Sequence, residues 1–85
     1  MKYTVEIAPT VLKRLKRLSR TDQVRLYAKI ESLADNPRPN GYKDLVGFKN
    51  FYRVRVGEYR IIYNIFENIL TVSVVELMTR GTGYK

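Results

Sequence analysis

The stretch NFYRVRVGEYRIIY, Asn50 to Tyr63, decides the fold. Phe51 to Val56 and Tyr59 to Phe66 are rich in β-branched and aromatic residues and read as strands. Only Gly57-Glu58 separates them, and glycine at the first central position suits a type II′ turn, whose twist matches that of a hairpin. That turn sets the register: Val56 faces Tyr59, Arg55 faces Arg60, Val54 faces Ile61 and Arg53 faces Ile62. Side chains alternate along a strand. Tyr52, Val54, Val56, Tyr59, Ile61, Tyr63 and Ile65 therefore share an apolar face, while Arg53, Arg55, Arg60 and Asn64 share the other.

Arg55 and Arg60 are then directly opposite each other. Like charges so placed cost a few tenths to ~1 kcal/mol. Either the two side chains splay into water, or together they hold an anion. The planar guanidinium binds phosphate bidentately and keeps its charge when partly desolvated. Such a face would also stabilise the negative charge that builds up as a phosphodiester is attacked.

Working outward, Tyr3 to Ile7 alternates and reads as a short strand, and Pro9 suits the first turn of a helix. Val11, Leu12, Leu15 and Leu18 make its apolar stripe, with Lys13, Arg14, Lys16 and Arg17 on the opposite face. Those four either face an anionic partner or are a plain solvated surface. Thr21-Asp22 reads as the start of a second helix, capped by Thr21. Leu26, Tyr27, Ile30, Leu33 and Ala34 form its apolar face, and it should stop before Pro37. Pro37 to Gly41 is a loop with a turn at Asn40-Gly41. Leu70 to Met78 reads as a further strand, joined through a two-residue connection at Glu67-Asn68.

The predicted fold is α+β, one domain over residues 1–85. A helical hairpin packs on one face of a three-strand antiparallel meander, and the N-terminal strand joins the same sheet. After the last strand come Arg80, Gly81-Thr82-Gly83 and Tyr84. The glycines would let this tail bend back to the basic face, where a tyrosine can stack on an unpaired base for roughly 1–3 kcal/mol.

Composition narrows the chemistry. The chain has 85 residues, 16 Lys plus Arg against 8 Asp plus Glu, and a formal charge of +8. On so short a chain that favours a polyanionic partner, most often nucleic acid. There is no cysteine and no histidine, so disulfides, thiolate or imidazole metal ligands and the usual neutral-pH general base are all excluded. No stretch approaches the roughly 18 apolar residues of a membrane span, and the opening MKYTVEIAP has no apolar signal region. A cytoplasmic location is expected.

Taken together, the helical hairpin, the Asn36-Pro37 end of its second helix, the block KDLVGFKNFYRVRVGEYRIIY from Lys43 to Tyr63 and the terminal TRGTGY resemble the RelE/ParE superfamily of toxins. The resemblance covers essentially the whole chain. It implies the toxin of a type II toxin–antitoxin system: a ribosome-dependent endoribonuclease that cuts mRNA in the A site. In that chemistry the ribose 2′-hydroxyl attacks the adjacent phosphate, with no metal and no cofactor. It further implies that Arg53 and Arg60 stabilise the phosphate, Arg80 assists the leaving 5′-oxygen and Tyr84 orients a base. Lys13, Arg14, Lys16 and Arg17 would meet ribosomal RNA, and the other partner would be a cognate antitoxin. The second basic position, often lysine in the family, is here Arg55. A guanidinium is a poor proton acceptor, so the resemblance leaves the general base unassigned. A gyrase-inhibiting toxin of the ParE type, or an inactive homologue that only binds RNA or antitoxin, are the alternatives.

Overall fold

The structure, a computed structural model, describes residues 2–79. Its centre is the hairpin read from the sequence. β3 (Phe51–Val56) and β4 (Tyr59–Phe66) pair with Val56 opposite Tyr59, Arg55 opposite Arg60, Val54 opposite Ile61 and Arg53 opposite Ile62. Gly57 has φ 60°, whereas Glu58 is not among the positive-φ residues. One left-handed residue at the first central position is the type II′ requirement.

Around this hairpin the sheet has five strands in the order β1-β5-β4-β3-β2. β1 (Thr4–Ile7) runs parallel to β5 (Thr71–Thr79), and the remaining pairs are antiparallel. The chain therefore leaves β1 at one edge and enters β2 (Lys43–Asp44) at the other. α1 (Pro9–Lys16) and α2 (Arg20–Ser32) carry it across, α1 against β5 and α2 against β3. This crossing keeps both helices on one face.

That face is the core. Val11 and Leu15 of α1, with Leu26 and Ile30 of α2 and Leu33 just after it, close over Val54, Ile61, Tyr63, Ile65, Val72, Val74 and Leu77. Tyr52, Val56 and Tyr59 pack at its margin, so all seven residues assigned to the apolar face of the hairpin lie there. Each fully buried aliphatic side chain contributes on the order of 1.5–3 kcal/mol.

Three local expectations are corrected. The cap of α2 is Ser19, whose Oγ accepts from the Asp22 N–H at 3.2 Å, so the helix begins earlier than Thr21. A serine placed three residues before an acid offers the same cap chemistry two residues upstream. β4 and β5 are joined by a 3-10 turn, Glu67–Ile69, and by Leu70 at φ 49°, rather than by two residues. Finally, the sheet has a fifth strand beyond the Pro37 to Gly41 loop, the short β2, with Lys43 opposite Arg53 and Asp44 opposite Tyr52.

One irregularity sets the faces of β5. Ile62 is opposite Glu76 but Tyr63 is opposite Val74, so Val75 is an extra residue, a β-bulge. Strict alternation from Val74 would turn Glu76 inward and Leu77 outward. The bulge reverses this: Leu77 is 1 % exposed in the core, and Glu76 is exposed on the opposite face.

Side-chain bonds tie the loops to this frame. The buried Tyr63 hydroxyl donates to the Pro37 carbonyl at 2.7 Å, anchoring the segment that follows α2. Tyr3 donates to Glu67 at 2.7 Å and Arg38 pairs with the same carboxylate at 2.6 Å. The Tyr3 hydrogen bond, then the Arg38 hydrogen bond, hold the Glu67 carboxyl below its usual range. Tyr59 donates to Asp22 at 2.8 Å, joining the hairpin to the first turn of α2.

Candidate nucleic-acid interface

The face of the sheet turned away from the helices carries the charge. Arg53 and Arg55 project from β3, Arg60 from β4 and Lys43 from β2, all at register positions of one face. In a two-residue hairpin the pair flanking the turn is hydrogen-bonded, so the next pair, Arg55 and Arg60, is the close kind, with Cα atoms ~4.5 Å apart. Arg53 and Arg60 are half-buried and Arg55 is exposed. Glu76 on β5 and Glu6 on β1 share the face. Cations thus occupy β2 to β4, and carboxylates lie toward β5 and β1.

Two neutral residues organise this surface. Ile62, between Arg53 and Glu76 in the register, is 5 % exposed although it lies outside the core cluster. Asn64 is 9 % exposed, and its Nδ2 donates to the Asn50 carbonyl at 2.9 Å, pinning the loop before β3 to the sheet.

Lys13, Arg14, Lys16 and Arg17 do not join this face, because α1 packs on the other side of the sheet. Lys13, Lys16 and Arg17 are exposed there. Arg14 is different: its guanidinium donates to the Leu77 carbonyl, fastening α1 to β5. Arg80 and Tyr84 lie outside the described residues. Lys43 was missed in the sequence because a two-residue strand leaves no periodicity to read. Its one cue was position, two residues beyond the Asn40-Gly41 turn.

What the arrangement can do chemically is hold extended anions. Guanidinium and ammonium groups on an open sheet suit successive phosphates of a polymer better than one enclosed small molecule.

The family described as "ParE toxin of type II toxin-antitoxin system, parDE" matches residues 5–84 of this sequence. The chain belongs to the RelE/ParE family of toxins. A candidate toxin named RelE1 from Methanocaldococcus jannaschii is 34 % identical over 88 residues, covering 100 % of this chain and 98 % of its own length. The RelE of the archaeal RelE-RelB complex from Pyrococcus horikoshii superposes with a TM-score of 0.85 at 29 % identity, over 95 % of this chain and 98 % of that one. Isolated E. coli RelE shares the fold, with a TM-score of 0.78 at 21 % identity over 92 % of this chain and 84 % of its own. Within this RelE/ParE frame, the two helices and five-strand mixed sheet are the family architecture.

Proposed function

We propose that this chain is the toxin of a RelBE-type pair and acts as a ribosome-dependent endoribonuclease on mRNA in the A site. The observation that carries the reading is Arg55 directly across from Arg60, with Arg53 and Lys43 beside them on one solvent-facing sheet surface. The 2′-hydroxyl of a ribose gives its proton to solvent as its oxygen bonds to the neighbouring phosphorus, and the bond from phosphorus to the 5′-oxygen breaks, that oxygen taking a proton from solvent. The products are a cyclic phosphate and a 5′-hydroxyl. Arg53 and Arg60 stabilise the charge on the pentacoordinate phosphate. Arg80 assists the leaving 5′-oxygen through its positive charge, and Tyr84 orients a base. Arg55 holds the strand by its phosphate, and positioning by the ribosome supplies much of the rate. No metal or cofactor enters this scheme.

The partner that restrains the toxin is an antitoxin protein, as in the RelE-RelB complex of the Pyrococcus relative. The helix surface of Lys13, Lys16 and Arg17 contacts ribosomal RNA, and the protein works in the cytoplasm. Primer extension on ribosomes with a defined mRNA and an empty A site tests the reading. Cuts confined to the A-site codon and dependent on ribosomes are expected.

A second reading is favoured by the ParE description of the matching family: inhibition of DNA gyrase by binding alone. Blocked supercoiling in a parallel reaction, with no cut in the mRNA, would establish it instead.

A further inference from the structure

The chain has three phenylalanines, Phe48, Phe51 and Phe66, and none belongs to the hydrophobic core or packs against it. Phenylalanine is ordinarily among the most buried residues. Here Phe48 is 61 % and Phe66 41 % exposed, and Phe51 is half-buried. All three gather at one end of the cationic face. Phe51 is opposite Asn64, two residues from Arg53 on the same face of β3, and Phe66 is two residues beyond Asn64 on β4. The Phe48 ring meets Phe51 edge-on, with centroids 6.2 Å apart and planes at 71°.

The loop that presents Phe48 is built rather than slack. The Leu45 N–H donates to the Phe51 carbonyl at 2.9 Å, extending the pairing of β2 with β3 by one position. Two tight turns follow, closed by Phe48 N–H to the Leu45 carbonyl at 3.1 Å and Phe51 N–H to the Phe48 carbonyl at 3.4 Å. Gly47 at φ 86° and Asn50 at φ 67° take the left-handed third position of each, the type II pattern. Asn64 then clamps the second turn from the sheet.

We propose that Phe48, Phe51 and Phe66 form a stacking subsite for unpaired RNA bases, placed beside the phosphate-binding row of Lys43, Arg53, Arg55 and Arg60. The inference rests on the reading of this chain as acting on RNA. A basic track that runs into exposed aromatic rings is the chemistry by which proteins hold single strands: cations take phosphates and rings take bases. An acidic peptide would satisfy the cations too. Base stacking is the occupant favoured here, because the aromatic end continues the cationic face, with Phe51 and Phe66 on its strands and Phe48 on a preformed loop.

The chain contains no tryptophan, so Phe48→Trp places a single indole reporter at the subsite. A short single-stranded oligoribonucleotide is expected to quench it, and polyphosphate, which has charge but no bases, is expected not to. Phe48→Ala in the full chain should weaken binding of the same oligonucleotide by about fivefold to a hundredfold, with Phe48→Tyr restoring it. Because Phe48 is largely exposed, the alanine variant should melt at the wild-type temperature. Wild-type A-site cleavage with oligonucleotide binding unchanged in Phe48→Ala, or undetectable in the wild type, would overturn the subsite and leave the nuclease standing. A blue shift of the indole with an acidic peptide and no quench with RNA would also overturn it. A wild-type chain that neither binds nor cuts RNA would overturn the subsite and the reading beneath it together.

Discussion

Arg55 stands directly across the β3–β4 hairpin from Arg60, two like charges at one register position of a small sheet. Nothing in packing requires this, since both lie on the face away from the core.

Arg55→Thr removes the repulsion and supplies a residue with high β-propensity. It should raise stability by a few tenths to ~1 kcal/mol, read as a higher urea midpoint with an unchanged slope. Growth arrest on expression should weaken in the same variant. Full toxicity with the higher midpoint would remove Arg55 from the site.

Tyr63→Phe deletes the only hydroxyl bonded to the Pro37 carbonyl among the described residues, and should cost about 1–3 kcal/mol. It should also flatten the alkaline limb of the stability profile. Burial, more than any neighbouring charge, raises the Tyr63 pKa above its usual value. The native state therefore keeps a proton that the unfolded chain releases above pH ~10. Below that pH the contribution is fully present, and it is lost as pH rises toward the folded value. Tyr59, raised chiefly by its hydrogen bond to Asp22, acts in the same direction. Equilibrium unfolding from pH 8 upward checks this: wild type should lose stability more steeply than Tyr63→Phe.

Gly57→Ala forces a side chain onto φ 60° and brings its Cβ to 2.8 Å from the Arg25 guanidinium. Arg25 is half exposed and can swing aside, so the backbone sets the cost, about 1–2 kcal/mol. Gly57→Asn should cost less, because asparagine tolerates positive φ. Thermal melts of the two variants should rank in that order.

Arg80→Ala should abolish growth arrest while the protein still co-purifies with its antitoxin. In the proposed mechanism Arg80 serves the leaving oxygen. Retained toxicity would refute that role.

The hairpin was legible because one glycine fixes a turn, the turn fixes a register, and the register sorts side chains by face. Ser19 was passed over because Thr21-Asp22 offers the same cap chemistry two residues on. The Glu67–Ile69 turn hid because its left-handed residue is Leu70, a side chain that gives no turn signal. Lys43 entered the site, and Arg14 turned away to bond the Leu77 carbonyl, through tertiary contacts that no local pattern encodes. The phenylalanines were visible as residues but not as a group, since Phe48 meets Phe51 only when two tight turns fold the loop.

The extra residue at Val75 has a genetic consequence. Loss of that one codon would leave a strand in regular pairing with its faces kept, Val74 inward, Glu76 outward and Leu77 inward. A three-base deletion there would bury no charge and remove no core leucine. The bulge is the place where β5 can shed a residue without changing phase, so a gene can lose a codon at Val75 more safely than its position inside a central strand suggests.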